Sequence, residues 1–291
     1  MSQIAASELV LNPDGSVYHL ALFEEHVKDY VLLVGDPGRV DVITSMMDKV
    51  TAQAHNREFY TKVASYNGMQ ITVMSTGIGT DNIDIAINEL DAAVNIDLKN
   101  RSIKKEKRSL NLIRLGTSGA LQEDIPVDSL VVSKYGLGLD GLMNYYKWTP
   151  TKEEISLRDA FIHHMAYPME LAKPYIVESD QALRLKISAA YESGITATAS
   201  GFYAPQGRIL RIPLAHQDLN ESISSFEWNK ERVTNYEMET SALYGLSRAL
   251  GHNACTVCAI IANRKRGEYS KDYKTTVKRM IAEVLERLTA H

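Results

Sequence analysis

Short apolar segments alternate along the chain with longer segments in which apolar residues recur every three or four positions. The short segments predict β-strands, and the longer periodic ones predict helices that bury one face. The strand-like segments are YVLLVGD (30–36), the two halves of TKVASYNGMQITVMSTGIG (61–79) on either side of an Asn-Gly turn, LIRLGTSGAL (112–121), DSLVVSKYGLGLDG (128–141) and ACTVCAIIANR (254–264). In LIRLGTSGAL the strand is expected to lead into a loop of small residues. The helical segments are RVDVITSMMDKV (39–50), DNIDIAINELDAAVN (81–95) and residues 237–250. This alternation predicts an α/β fold with a largely parallel or mixed sheet covered by helices on both faces.

The length and composition agree with one large domain. The chain has 291 residues, 45% of them hydrophobic, which is enough to fill a sizeable core. Neither a Pro- or Ser-rich linker nor an internal repeat divides the sequence. We therefore expect a single domain over residues 1–291.

The charge pattern argues against nucleic acid or a membrane as a partner. The formal net charge is −4 and the sequence pI is about 6.1, so no overall field attracts polyanions. The basic segment KNRSIKKEKR (99–108) could be a nucleic-acid patch, but no aromatic residue interrupts its charges, and a solvated connection between helix and strand is favoured. The N-terminal residues lack signal-peptide blocks, and no apolar run approaches the ~18–20 residues of a membrane span. A cytoplasmic protein is expected.

Two cysteines, Cys255 and Cys258, form a CxxC within an apolar strand-like segment. Residues three apart on a strand point to opposite faces, so a redox pair is disfavoured. The pair also falls short of a zinc site, and His163 and His164 are not spaced as ligands on a helix. We expect no catalytic metal.

Three segments at predicted strand ends are rich in glycine or small hydroxyl residues: GDPGR (35–39), STGIGT (75–80) and RLGTSGA (114–120). Loops at the carboxyl ends of strands are where α/β proteins bind ligands. The GxGxxG fingerprint is broken at Asn82, and no Walker lysine follows any of the three. A dinucleotide or nucleoside triphosphate is therefore disfavoured.

A smaller anion fits these segments better. Arg39 and Arg114 stand beside glycines, as bidentate phosphate recognition requires, and Thr117 and Ser118 offer hydroxyl donors. The alternative is that both arginines are salt-bridged surface residues. An inorganic phosphate site is the hypothesis that makes use of all four side chains.

Two acids flank Met238 in NYEMETSALYGLSRALG (235–251), just where a predicted helix begins. Acids in the first helical turn complement the positive end of the helix dipole, which is a purely structural explanation for Glu237 and Glu239. The functional alternative is that both acids bind a ligand.

The chain resembles the nucleoside phosphorylases of the purine and uridine phosphorylase type. Each shared motif is weak by itself, but together they appear in the family's order and at similar spacings over most of the chain. The motifs are YHLAL, GDPGRV, HNREF, STGIGTDN, IRLGTSGA, FYAPQGR, NYEMETSAL and IIANR. The resemblance implies a phosphorylase-type α/β domain in which the mixed sheet partly closes into a barrel.

The resemblance also assigns the phosphate and the sugar. Phosphate would be bound by Gly35, Arg39, Arg114 and Thr117, and by Arg57 of a neighbouring subunit.

Ribose would be bound by Glu237, Met238 and Glu239, with the 2′- and 3′-hydroxyls on Glu239 and the sugar against Met238. His19 would come from the neighbouring subunit to the 5′-hydroxyl. Such sharing implies a homodimer as the catalytic unit, usually within a homohexamer.

Two features of the sequence indicate the base: the absence of a Ser-Asp pair and the presence of the FYAPQGR segment. Family members that act on purines carry a Ser-Asp pair where this chain has Ala262-Asn263. The FYAPQGR segment matches the pyrimidine loop of relatives, so the residues implied for the base are Phe202, Gln206, Arg208 and Arg264. A solvent-exposed surface turn is the structural alternative for this loop.

The resemblance therefore implies a pentosyltransferase that cleaves uridine with inorganic phosphate as co-substrate, giving uracil and ribose 1-phosphate in pyrimidine salvage. Its catalytic residues would be Arg114, Glu239, Gln206 and Arg208. Purine phosphorolysis, nucleoside hydrolysis and a non-catalytic nucleoside sensor on the same fold are the alternatives.

The sequence also departs from the family pattern. Gly38 stands in place of a usual acid, residues 99–108 look like an insertion, and residues 141–175 are unusually aromatic. KRGEYSKDY (265–273) is expected to act as a lid. Glu58, Ile71 and Ser75 align with the site of a monovalent cation, such as potassium, at the dimer interface of some relatives; no other cofactor is expected.

Overall fold

The structure, a computed structural model, describes residues 3–188 and 191–290, so the predicted domain limits at 1 and 291 lie outside the described residues. The strands are β1 (Tyr30–Val34), β2 (Lys49–Asn56), β3 (Phe59–Tyr66), β4 (Met69–Ser75), β5 (Ile96–Asp97), β6 (Ser102–Ile103), β7 (Asn111–Ala120), β8 (Leu130–Gly138), β9 (Tyr175–Glu178), β10 (Glu192–Thr198), β11 (Glu227–Trp228), β12 (Glu231–Glu237), β13 (Asn253–Asn263) and β14 (Glu268–Tyr269). The helices are α1 (Pro37–Thr44), α2 (Thr80–Asn95), α3 (Lys152–His164), α4 (Gln181–Ser188), α5 (Leu219–Ser225), α6 (Thr240–Leu250) and α7 (Tyr273–Thr289).

A mixed sheet with the strand order β11-β12-β10-β8-β13-β7-β1-β4-β3-β2 forms the centre of the molecule. Strand β12 also pairs with β7, so β7, β13, β8, β10 and β12 close into a five-stranded barrel. The pairs β1–β4, β1–β7, β7–β13, β8–β10 and β10–β12 are parallel, whereas β8–β13 and β7–β12 are antiparallel. The predicted α/β class with a partly closed mixed sheet is confirmed.

Alternation along β1 shows how the helices cover both faces of the sheet. Val31 and Leu33 pack into one apolar cluster with α2 and α6, whereas Leu32 and Val34 pack into another with α1, α4 and α7. A strand buried on both faces reads as a continuous apolar run because successive side chains point in opposite directions. This is why YVLLV could be identified from the sequence as a core strand.

Several predicted elements occur where the pattern placed them. Asn67 and Gly68 form the turn between β3 and β4 with φ of 49° and 79°, the left-handed values that a tight Asn-Gly hairpin turn requires. Helix α2 covers the predicted 81–95 segment, and β13 covers most of 254–264. The basic segment 99–108 is a surface connection from α2 to β7, in which Lys104 and Arg108 pair with acids.

Three predictions about local structure were wrong. The helix predicted for 39–50 ends at Thr44, because Lys49 already pairs with β3. The GTSGA residues are strand and not loop, because Gly119 and Ala120 pair with β12 and close the barrel.

The third correction concerns the start of α6. Glu237 is the last residue of β12, and the helix begins at Thr240 with Glu239 as its N-cap residue. The helix end lies very close to the barrel wall: a Cβ on Gly136 of β8 would lie 2.8 Å from Cα of Ser241. Only glycine allows this approach, which brings the acids at the start of α6 to the mouth of the barrel.

Both cysteines are free and buried in β13. Cys255 packs in the cluster with α4 and α7, whereas Cys258 lies near Arg114. Burial raises the pKa of the Cys258 thiol to about 12, so it stays protonated at neutral pH. Within residues 3–188 and 191–290, no helix combines the length and apolarity that crossing a membrane requires.

Candidate active site

A cleft of about 1120 Å³ opens at the mouth of the barrel, where the carboxyl ends of several strands meet. It is bordered by the segments that follow β1, β4, β10 and β12, and by the ends of β7 and β13. The structure brings together here most of the residues expected from the sequence: Gly35, Arg39, Arg114, Thr117, Ser118, Phe202, Gln206, Arg208, Glu237, Met238, Glu239 and Arg264.

Arg114 and Glu239 form an ion pair at the base of the cleft. Both residues are buried, with 5% and 3% of their surface exposed. The other carboxylate oxygen of Glu239, Oε1, accepts a hydrogen bond from the backbone N–H of Gly79 at 2.8 Å. Residues from β7, from the loop after β4 and from the start of α6 are thereby joined at one point.

The Arg114 guanidinium is only partly satisfied by the protein. Burial alone would lower its pKa, but the charges of Glu239 and Glu237 outweigh burial and raise it, so the side chain is fully charged. Its Nε and Nη1 are buried and have no hydrogen-bond partner among the described residues. Buried charged donors without a partner are costly, so an acceptor from a ligand fits this position.

Arg39 provides a second positive charge on the same side of the cleft. Its Nη1 donates to the carbonyl oxygen of Leu115 at 3.1 Å, which anchors the guanidinium beside β7. Burial and the charge of Arg114 both lower its pKa. Two neighbouring guanidinium groups that repel each other form a site that an oxyanion stabilises, and the backbone at Gly35 approaches the same space.

Glu237 caps helix α6 with its side chain. Its Oε2 accepts the backbone N–H groups of Glu239 and Thr240 at 2.9 Å each, and its Oε1 accepts the Thr198 hydroxyl at 2.6 Å. Burial and the nearby charge of Glu239 raise its pKa to about 7. The structural explanation proposed for this pair of acids therefore applies to Glu237, while Glu239 holds Arg114.

The Phe202, Gln206 and Arg208 side chains form a second wall of the cleft. Arg208 Nη1 donates to Gln206 Oε1 at 2.7 Å, and its guanidinium carbon lies 3.7 Å from the Phe202 ring centroid. Gln206 is buried, whereas half of Phe202 is exposed. Burial, and then the charge of Arg264, lowers the pKa of Arg208 to about 10. Amide and guanidinium are thus held together as a unit facing the cleft.

Arg264 and Asn263 complete this wall. Arg264 Nη1 donates to the Gln206 carbonyl oxygen, which ties the end of β13 to the loop that carries Gln206. Asn263 Nδ2 donates to the carbonyl oxygens of Gln122 and Ile125 at 2.9 and 2.8 Å. The position where purine-specific relatives are expected to carry an acid is therefore occupied by a structural amide.

His19 and Arg57 lie outside the cleft of their own chain. His19 pairs with Glu89 on α2, and Arg57 is at the turn between β2 and β3, where its guanidinium carbon lies 5.9 Å from the Tyr18 ring centroid. The two residues are near each other, because Asn56, which directly precedes Arg57, donates to the carbonyl oxygen of His19. Their role in a neighbouring subunit stays a prediction.

The residues expected for a monovalent cation lie on β4 and directly before β3. Ser75 Oγ donates to the Glu58 carbonyl oxygen at 2.6 Å and accepts the Tyr60 N–H at 2.8 Å, while Ile71 is fully buried. The Glu58 side chain lines the cleft. Across the described ranges, no cluster of three or more His, Cys, Asp or Glu side chains is arranged to bind a metal ion.

The structure adds residues to the cleft that the sequence did not indicate. Tyr236 precedes Glu237 on β12, and its buried hydroxyl has no partner within the described residues. Its place inside the NYEMETSAL motif is the only signal in the sequence. Tyr269 lines the cleft from the segment 265–273, which folds back as β14 against Ala262 and Asn263. The segment expected to act as a lid is therefore a short hairpin at the rim.

Comparison with known proteins gives a consistent family. The model of the phosphorylase superfamily matches residues 29–290. The uridine phosphorylase of Thermococcus kodakarensis is 32% identical over 93% of this chain and 86% of its own length. A crystal structure of a Trypanosoma brucei nucleoside phosphorylase, described as showing uridine phosphorylase activity, superposes with a TM-score of 0.89 at 30% identity, covering 97% of this chain and all of the other. A guanosine phosphorylase of Halorubrum lacusprofundi is 27% identical over 94% of this chain and 98% of its own length.

The raised pKa of Glu237 predicts a specific pH dependence of stability. A pKa of about 7 in the folded protein exceeds the usual 4.5, so the folded state binds the proton more tightly than the unfolded chain. The contribution of Glu237 to stability is therefore full below about pH 4.5 and is lost as the pH rises through about 7. Glu237→Gln does not titrate, so its Tm relative to wild type should rise between about pH 5 and about pH 7.5.

Thermal unfolding at constant ionic strength measures this difference. The exposed Glu25→Gln is the matched control, and its Tm difference from wild type should stay flat over the same range. A Glu237→Gln difference that is independent of pH would contradict the assignment.

Proposed function

Because the chain belongs to the phosphorylase superfamily, we propose that it catalyses the phosphorolysis of uridine to uracil and ribose 1-phosphate. One observation supports this above all: a two-arginine anion site and an amide–guanidinium pair face the same cleft. Arg39 and Arg114 are suited to an oxyanion, and Gln206 with Arg208 is suited to the polar edge of a pyrimidine.

The reaction follows from this arrangement. A phosphate oxygen attacks C1′ of the ribose from the side of Arg39 and Arg114, and the bond between C1′ and N1 of the base breaks. The electron pair of that bond leaves with uracil, whose negative charge spreads over the ring oxygens. Gln206 and Arg208 stabilise this anion by hydrogen bonding, and a preorganised donor of this kind contributes on the order of 10²–10³ in rate.

Glu239 acts by positioning. Its carboxylate holds Arg114 and Gly79 and accepts the ribose 2′- and 3′-hydroxyls, while Met238 packs on the sugar. Fixing nucleophile and sugar in one geometry converts a two-body encounter into an oriented one. Thr117 and Gly35 complete the phosphate site.

A purine substrate is the second candidate, because one relative is a guanosine phosphorylase. The structural role of Asn263, which is bound to two backbone carbonyl oxygens, argues against it, since an acid that could protonate a purine is missing at this position. Hydrolysis is disfavoured because a nucleosidase does not need Arg39 and Arg114. A non-catalytic sensor would not need the complete set of groups.

The catalytic unit we propose is a homodimer, assembled into a hexamer, in which His19 and Arg57 reach the cleft of the neighbouring subunit. The support is that both residues lie on one surface outside their own cleft. A monovalent cation at Glu58, Ile71 and Ser75, a cytoplasmic location and a role in pyrimidine salvage stay predictions from the sequence.

A base-release assay tests the proposed function. Purified protein is incubated with uridine or with inosine, with and without inorganic phosphate, and free base is measured. We expect uracil to be released only when phosphate is present. Base release from inosine but not from uridine would contradict the pyrimidine assignment, and release without phosphate would indicate a hydrolase. Nucleoside binding without release would indicate a sensor.

Removing the guanidinium from the base wall should reduce catalysis strongly. We expect Arg208→Ala to lower kcat/KM for uridine by about tenfold or more, equivalent to about 1.4 kcal/mol of transition-state stabilisation. The matched control is Arg211→Ala, since Arg211 is exposed on the same loop. Equal kcat/KM values for both variants would place the base elsewhere.

Subunit mixing tests the shared site. Arg57→Ala and Arg114→Ala should each be nearly inactive alone, because each removes one cation from every site. In a mixed dimer one site regains both arginines, so random pairing should restore about a quarter of wild-type activity. A mixture that is no more active than the separate variants would show that Arg57 does not act across subunits.

A further inference from the structure

The carboxylate of Glu89, on α2 and away from the cleft, holds both the backbone and the ring of His19. Its Oε2 accepts the backbone N–H groups of His19 at 2.8 Å and of Leu20 at 2.9 Å. Its Oε1 lies 2.6 Å from Nδ1 of the imidazole. Glu89 is 70 positions from His19 in the sequence, so this contact is made only by the fold.

The contact determines which ring nitrogen carries the proton. An ionised carboxylate can only accept hydrogen bonds, so Nδ1 of His19 must be the donor. In the neutral ring this leaves a lone pair on Nε2, which makes that nitrogen an acceptor. The His19 side chain keeps 28% of its surface exposed, so a hydroxyl group from outside the chain can reach the ring.

Hydrogen bonds and ring contacts hold the segment around His19 in place. Asn56 Nδ2 donates to the carbonyl oxygens of Tyr18 and His19, at 3.2 and 3.0 Å. The rings of Tyr18 and His19 meet edge to face with centroids 4.8 Å apart, and Arg57 lies over the Tyr18 ring. His19 and Arg57 are therefore presented together, on a preformed surface.

We propose that Glu89 is a positioning residue, which fixes His19 in the Nδ1–H tautomer so that Nε2 accepts the ribose 5′-hydroxyl in the neighbouring subunit's cleft. This inference rests on the proposed function, because it uses the role given there to His19. Glu89 does not touch the substrate. A carboxylate that accepts from one ring nitrogen fixes the imidazole tautomer and keeps the other nitrogen free for a ligand.

Glu89→Gln tests this directly, because an amide NH₂ group donates a hydrogen bond to Nδ1 where the carboxylate accepts one. The amide oxygen is needed by the two backbone N–H groups, so the NH₂ group faces Nδ1 and turns it into an acceptor. The proton then moves to Nε2, which can no longer accept from the 5′-hydroxyl and can only donate to its oxygen, so the hydroxyl must turn away from its wild-type orientation and the hydrogen bond is weakened. We expect kcat/KM for uridine to fall about fivefold or more, whereas kcat/KM for 5′-deoxyuridine should not change.

A double-mutant cycle shows whether the effect passes through His19. In a His19→Ala background, adding Glu89→Gln should leave kcat/KM for uridine unchanged, because there is no ring left to position. The matched control is Asp91→Asn, which removes a carboxylate from the same helix. Asp91 also faces a histidine, because its Oδ1 lies 3.2 Å from Nε2 of the buried His252. This control should not change the ratio of the two substrates.

Imidazole ¹⁵N NMR gives a readout that does not depend on activity or on a stable variant. The wild-type protein should show His19 protonated on Nδ1, and Glu89→Gln should show it protonated on Nε2 where that variant folds. An Nε2–H tautomer in wild type would overturn the proposal. So would an equal loss on uridine and 5′-deoxyuridine, additivity with His19→Ala, or a His19→Ala variant with unchanged kcat/KM for uridine.

Failure of the proposed function is recognised separately. If the wild-type protein releases no uracil from uridine and phosphate, the function fails, and Glu89 loses its assigned role with it. If wild type is active and any of the contradicting results appears, only the inference about Glu89 fails.

Discussion

The buried ion pair of Arg114 and Glu239 is the interaction on which the site depends. Arg114 comes from β7, Glu239 from the start of α6, and Gly79 joins them from the loop after β4. Glu237, at the end of β12, lies 3.9 Å away from the Arg114 Nε and caps the same helix. Removing one partner of such a group leaves a buried charge unpaired, which typically costs about 3–5 kcal/mol. These charges therefore hold β7, the loop after β4 and the start of α6 together at the candidate site.

Local pattern was enough for much of the fold. β1, α2 and the Asn67-Gly68 turn were predictable because their signals lie within a few residues of each other. The GTSGA segment of β7 was not, because its glycines suggest a loop, whereas pairing of Gly119 with Tyr236, far along the chain, makes it strand. Barrel closure is a non-local event, and no local pattern reports it.

The residues of the candidate site also differ in whether the local sequence could indicate them. Arg39, Arg114 and Thr117 could be found as charged and hydroxyl residues beside glycines at strand ends. Gln206 and Arg208 needed the family resemblance, because a short APQG turn has a purely structural explanation. Glu89 had no signal, and Tyr269 was indicated only as part of the segment expected to act as a lid, since each acquires its neighbours only when α2 and the β13–β14 hairpin are in place.

Repulsion between neighbouring arginines in the cleft favours an anionic ligand. The charge of Arg114 lowers the pKa of the partly buried Arg39, and the charge of Arg264 lowers that of Arg208, in each case in addition to burial. Each wall thus holds two cations whose mutual repulsion an anion between them would relieve. In the proposed reaction, the anion on one wall is the attacking phosphate. In the same proposal, the anion on the other wall is the departing base, which is neutral in the nucleoside and gains its charge only as the glycosidic bond breaks. The second wall therefore stabilises the transition state more than the bound substrate, which is the condition for accelerating the chemical step.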